Sequence, residues 1–178
     1  MKPGYPFLFL LLLISVAFQA SPAGPSEGIP VTPIPALARH GHTNALVIGN
    51  RQLQVTLLPS LGRIAGLRFG GLDNVVRFDA PLAAASLTPP EPGTWRNFGG
   101  DWMFPVAQAH WADRFGNRWP PPPFLDSLPW QGHAWISDDG AQHALLTLEV
   151  GEPLHIRLQR AVRVDPVTAT VTIRQRME

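Results

Sequence analysis

Leu154-His155-Ile156-Arg157-Leu158-Gln159-Arg160-Ala161-Val162-Arg163-Val164 is the stretch that decides the fold. Alternate positions put Leu154, Ile156, Leu158, Val162 and Val164 on one side of an extended chain, with His155 on the polar side. A period of two is the pattern of a strand with one buried face. Arg160 alone breaks the apolar row. A cation at a core position is either paired and buried, or the row opens onto a pocket there; the sequence reading favours the pocket.

Working outward, Asp165-Pro166 turns the chain, and Val171, Ile173 and Met177 continue the core face opposite Thr170, Thr172, Arg174 and Arg176. Upstream, residues 133–137 lead into Asp138-Asp139-Gly140, a hairpin turn by composition, and residues 144–150 return with Leu146, Leu148 and Val150 inward. Shorter strands are predicted at 45–48, 52–58, 63–69 and 74–78, with turns at Gly49-Asn50, at residues 59–62 and at Gly70-Gly71-Leu72-Asp73. No stretch beyond the N-terminal residues has helical periodicity. The expected class is all-β, an antiparallel β-sandwich.

Between the two groups of strands the chain changes character. All six tryptophans fall between Trp95 and Trp135, threaded through Asn97-Phe98-Gly99-Gly100-Asp101-Trp102 and the run of four prolines from Pro120 to Pro123. Prolines disrupt most regular structure that could bury those rings. Flat rings with a few polar tips suit a sugar, whose C–H face stacks on an aromatic ring while its hydroxyls need Asp, Asn, Gln or Arg. The competing reading is a structural plug over the open end of the sheet core.

Composition bounds the rest. Residues 1–23 read as an export signal: Lys2, an apolar run over residues 7–17, then small residues at Ala20, Ser21 and Ala23. An uncleaved anchor is the alternative. Residues 24–43, with Pro25, Pro30, Pro33 and Pro35, read as an extended lead-in, and 44–178 as the domain. Export places the protein in the periplasm or outside the cell, with no stable membrane association once the signal is cleaved. There is no cysteine, which excludes disulfide bracing and thiol catalysis. Fourteen basic residues face thirteen acidic ones, so nothing points to nucleic acid. The last strand is barely finished at Glu178, which reads as an N-terminal fragment whose domain is incomplete.

The order Leu58-Pro59-Ser60-Leu61-Gly62-Arg63-Ile64, then Asn97-Phe98-Gly99-Gly100-Asp101-Trp102, then Gln108, Trp111, Trp119-Pro120-Pro121-Pro122-Pro123 and Asp126 resembles a bacterial family, domain of unknown function 4380. That family is similar to the galactose-mutarotase-like β-supersandwich, and the resemblance covers roughly residues 44 to 178. It implies sugar binding across a concave sheet face. In mutarotases a histidine precedes the paired glycines; Phe98 stands there in this chain and moves no proton. The resemblance therefore implies binding more readily than mutarotase catalysis.

Candidate ligand residues follow from chemistry. Asp101 comes after two glycines that would let backbone approach a ligand, and before Trp102. It could hold hydroxyls or act as a base; its other role would be to cap the Gly-Gly turn. Arg96 and Asn97 share that loop, and Gln108 sits near Trp111. Asp126 would supply a second carboxylate. Arg63 could grip a uronate, or form a surface salt bridge. Trp102, Trp111 and Trp119 are the expected stacking rings. His110 is the one histidine placed for acid/base work; the others, including His40-Gly41-His42 in the lead-in, have no metal-ligand spacing. Neither metal nor cofactor is expected. The expected function is carbohydrate binding. A sugar epimerase, lyase or glycoside-processing enzyme using Asp101 or His110 stays open, as does a protein-interaction module.

Overall fold

The alternation is realised as two antiparallel four-stranded sheets. The computed structural model describes residues 37–39, 41–85, 95–116, 119–121, 128–152 and 154–178. The first sheet has the order β1 (Leu37–Arg39), β2 (His42–Gly49), β3 (Leu53–Leu58), β4 (Arg63–Phe69). The second is β5 (Gln131–Ile136), β6 (Gln142–Val150), β7 (Ile156–Val164), β8 (Val171–Met177). Every neighbouring pair is antiparallel, joined in chain order as two meanders. The all-β reading holds.

One hydrophobic cluster draws on both sheets. Leu46, Ile48, Leu53, Val55, Leu57 and Ile64 meet Ala144, Leu146, Leu148, Val150, Leu158, Val162 and Val164. Each fully buried aliphatic side chain contributes roughly 1.5–3 kcal/mol, so this cluster outweighs any single polar tie. The inward positions read from sequence in β6, Leu146, Leu148 and Val150, are all buried. Polar ties then fix how the sheets sit. Gly49 N–H donates to Gln142 Oε1 at 2.8 Å, and Asn50 Nδ2 reaches the carbonyls of Asp165 and Thr168.

Several local expectations are corrected. Leu37–Arg39 and His42 belong to sheet strands rather than to the lead-in. Residues 74–78 form no strand, because Asn74 takes over the edge of β4. Its side chain accepts from Leu67 N–H at 2.8 Å and donates to Ala65 O at 2.9 Å. Residues 59–61 form a turn of 3-10 helix closed by Gly62 in the left-handed region. Two short helices that hydrophobic pattern does not announce are α1 (Ala80–Ala85) and α2 (Trp111–Phe115). The long strand starts at Ile156, not Leu154: His155 has φ 49°, and its N–H and that of Leu154 fold back onto Gly151 O. His155 therefore leaves the polar face of β7 and pairs with Glu152 at 2.8 Å.

The last strand departs most from expectation. Val171 packs against the cluster, but Ile173 and Met177 are 42% and 54% exposed. The residues read as export signal, residues 24–36 and 40 of the lead-in, and Asp126 lie outside the described residues. Among those described, no helix is long and apolar enough to cross a membrane.

Candidate functional site

The segment 97–101 is clamped between two strips of backbone. Asp101 bridges Ile64 at the start of β4, with N–H to O distances of 2.9 and 3.0 Å, and Gly99 bridges Phe78. Gly100 N–H donates to Arg77 O at 2.8 Å. Gly99 and Gly100 have φ 76° and 82°. A Cβ on Gly99 would run into Arg77 O, and one on Gly100 would lie 3.0 Å from Ile64 O. The paired glycines thus let the loop approach the protein's own backbone, where the sequence reading has it approach a ligand. Asn97 Oδ1 accepts from Gly99 N–H at 3.1 Å, so Asn97 stabilises the turn that Asp101 was expected to cap.

Asp101 is free of that duty because it serves Arg160. The Arg160 guanidinium donates through Nη1 to Asp101 O at 2.8 Å and through Nη2 to the Asp101 carboxylate. Arg160 is 0% exposed, whereas the Asp101 side chain stays about half exposed. The break in the β7 row is therefore a paired, buried cation rather than an opening onto a pocket. Burial first, then the nearby Arg63 cation, lowers the Arg160 pKa to about 10. It remains charged at neutral pH. Its Nε and the Trp102 Nε1 are buried without a hydrogen-bond partner among the described residues.

Arg63 is also buried, which removes both the surface salt bridge and a directly exposed uronate grip. Its guanidinium lies 3.9 Å from the Trp102 ring centre and 4.9 Å from that of Phe98. These are cation–π contacts in a desolvated setting, where each is worth up to about 2 kcal/mol. Trp102 is half-buried with Arg63 over its ring. Phe98 is core, edge-on to Phe78 at 6.3 Å.

From Trp102 the rings continue outward. Trp102 meets Phe104 edge-on at 5.2 Å, Phe104 meets Trp111 at 5.3 Å, and Trp111 stacks on Trp119 at 6.2 Å and 16°. Trp95 stands edge-on to Trp119 at 4.5 Å. Trp111 is 1% exposed, and its indole N–H donates to Val106 O at 2.9 Å. It cannot stack on a ligand; it is the plug. Trp119, resting on it, is 51% exposed. Depth therefore separates the two rings: Trp111 is interior, as the plug reading expects, and Trp119 keeps half its surface open.

The polar candidates divide similarly. Asn97 and Gln108 are exposed and Arg96 is half-buried. Gln108 and His110 occupy a 3-10 turn leading into α2. His110 is exposed at the helix start, with no buried environment to set it apart.

Sequence reasoning missed three groupings. His42 is buried, its Nε2 against Ala83 O at 3.2 Å and its Nδ1 against Ser60 Oγ at 2.7 Å, which joins β2 to α1. On the outer face of the second sheet Trp135 stacks with His133 at 5.2 Å and His143 at 4.9 Å. The Asp138-Asp139-Gly140 turn sets the Trp135–His143 register, so this pair was the one that could have been found. Third, Asp139 holds Ser137 Oγ, Ala141 N–H and Arg163, contacts that depress its pKa below the usual carboxylate range. A shallow concavity of about 450 Å³ lies by Glu149, Gly151, His155, Arg157 and Glu178, none of them in the aromatic loop. Among the described residues no group of three or more metal-ligating side chains converges.

Comparison of the chain with protein-family models, with curated proteins and with solved structures finds no match.

Proposed function

We propose that this chain is an exported carbohydrate-binding domain of galactose-mutarotase-like type, its two sheets forming part of a β-sandwich. The single observation that carries the binding reading is the setting of Trp119. Half of this indole faces solvent, while the rest is held by stacking on buried Trp111 and by the edge contact with Trp95. A ring fixed before the ligand arrives loses little entropy on binding, which is what a sugar-stacking platform requires. Asn97, Gln108 and the open side of the Asp101 carboxylate are among the exposed polar groups of the loop. Export rests on the apolar run over residues 7–17 and the small residues after it. No observation favours catalysis on Asp101, whose carboxylate is already engaged by Arg160.

The test is intrinsic tryptophan fluorescence titrated with neutral and uronate mono- and oligosaccharides. A saturable shift is expected in the native chain and in Trp135→Ala, and is lost in Trp119→Ala. Absence of a response to every sugar, or a shift that survives Trp119→Ala, would overturn the proposal.

A further inference from the structure

Among the described residues two serines hydrogen-bond to a histidine, and the direction of the bond differs between them. Ser137 Oγ also meets two acceptors, the Asp139 carboxylate and Ala141 O. Its one proton is spent there, so His143 Nε2 donates to it. Ser60 is the reverse case. His42 Nε2 lies 3.2 Å from Ala83 O, a group that only accepts, so that nitrogen carries the proton. In a neutral imidazole Nδ1 then bears a lone pair, and the Ser60 hydroxyl, 2.7 Å away, donates to it.

The fold leaves this pair little freedom. Ser60 stands in the 3-10 turn Pro59–Leu61 between β3 and β4, closed by Gly62 in the left-handed region. His42 begins β2 and is 2% exposed, so packing and the Ala83 carbonyl fix its ring. Ala83 belongs with Leu58, Leu61 and Phe98 to an apolar cluster of their own. Ser60 itself is only half-buried, unlike its partner. A hydroxyl whose proton is directed at a base, with that base oriented by a third group, is the arrangement of a nucleophilic serine.

We propose that Ser60 and His42 form a hydrolytic dyad that cleaves short, uncharged acyl esters through an acyl-serine. Ser60 Oγ attacks the ester carbonyl carbon while its proton passes to His42 Nδ1. Collapse of the tetrahedral adduct breaks the bond to the alcohol oxygen, which takes that proton from His42 as it leaves. Water then attacks the acyl-serine and gives a proton to His42. The Ser60 oxygen departs with this proton, which frees the carboxylic acid. One ester and one water are consumed, and one acid and one alcohol are formed. A hydroxyl only partly open to solvent, flanked by Pro59 and Leu61, suits a small apolar acyl group. The dyad uses no residue of the aromatic loop and stands apart from the carbohydrate reading.

The full chain is treated with a biotinylated fluorophosphonate, which phosphonylates activated serines, and the labelled residue is located by mass spectrometry. Hydrolysis of p-nitrophenyl acetate and p-nitrophenyl octanoate is followed in parallel. The expected results are a label on Ser60 and faster turnover of the acetate. Ser60→Ala should remove both label and turnover. His42→Gln keeps a donor for Ala83 O and an acceptor for Ser60 but supplies no base, so it should slow labelling and turnover about a hundredfold or more. Labelling of the native chain needs no variant, so it decides the matter even where a substitution impairs folding. A label on Ser137 or on no serine, turnover that survives Ser60→Ala, equal rates with His42→Gln, or a preference for the octanoate would each overturn the proposal.

Discussion

Arg160 of the second sheet grips Asp101 twice, at the backbone carbonyl and at the carboxylate, while the same Asp101 backbone is bridged to Ile64 of the first sheet. One ion pair thus connects β7, the aromatic loop and β4. A buried cation is tolerated in an apolar row because its partner is delivered by a loop held on the opposite sheet.

That geometry sets the first prediction. Asp101→Ala leaves the Arg160 charge buried without its carboxylate and should cost about 3 kcal/mol, read from urea unfolding. Adding Arg160→Met should recover at least half of that loss, because the orphaned cation is then gone. A double variant no more stable than Asp101→Ala would show that the pair is not what Arg160 requires.

Trp111 and Trp119 stack on each other but should behave oppositely. Trp111→Ala removes a buried ring and its hydrogen bond to Val106, and is expected to cost about 3–5 kcal/mol. Trp119→Ala should leave the midpoint within about 1 kcal/mol, since half of that ring is in water already. Denaturant unfolding followed by circular dichroism separates the two.

Gly62 has φ 63°, and a Cβ there would run into the indole of Trp130. Gly62→Ala combines backbone strain with overpacking and should cost at least about 2 kcal/mol. Gly116 has φ 79° with open space beside it, so Gly116→Ala should cost only about 1 kcal/mol. Similar losses at both positions would show that strain alone decides.

Acid should weaken the second sheet through the turns that tie its strands. Asp139 and Asp165 have folded pKa values below the ordinary 3.8, for Asp139 through Ser137, Ala141 and Arg163, and for Asp165 through the backbone of Thr168 and Val167. A depressed folded value contributes stability that is complete above 3.8 and is lost as pH falls below it. The difference in Tm between the native chain and Asp139→Asn should therefore be constant from pH 7 to 5 and shrink toward pH 2. A difference that is flat down to pH 2 would rule out that contribution.

The β7 pattern was legible because alternation is local: each residue's face follows from its neighbours. The same logic read β6 correctly and failed for Leu154 and His155, where a turn onto Gly151 claimed the backbone first. It failed for residues 74–78 because one side chain, Asn74, satisfied the β4 edge that a strand would have filled. In the aromatic loop composition marked where the rings gather without ranking them by depth. Depth separates Trp111 from Trp119, and depth is a property of what packs above each ring.

By itself the sequence determined the all-β class, the absence of disulfides and the segment where aromatic rings gather, since each follows from composition or from a period of two. Only the tertiary structure decided that Arg160 is paired rather than open to a pocket, and that Gly99 and Gly100 admit protein backbone. These depend on residues far apart in sequence coming within a few ångströms, as Asp101 and Arg160 do across 59 positions. No local pattern encodes such distances; the packing of one sheet against the other does.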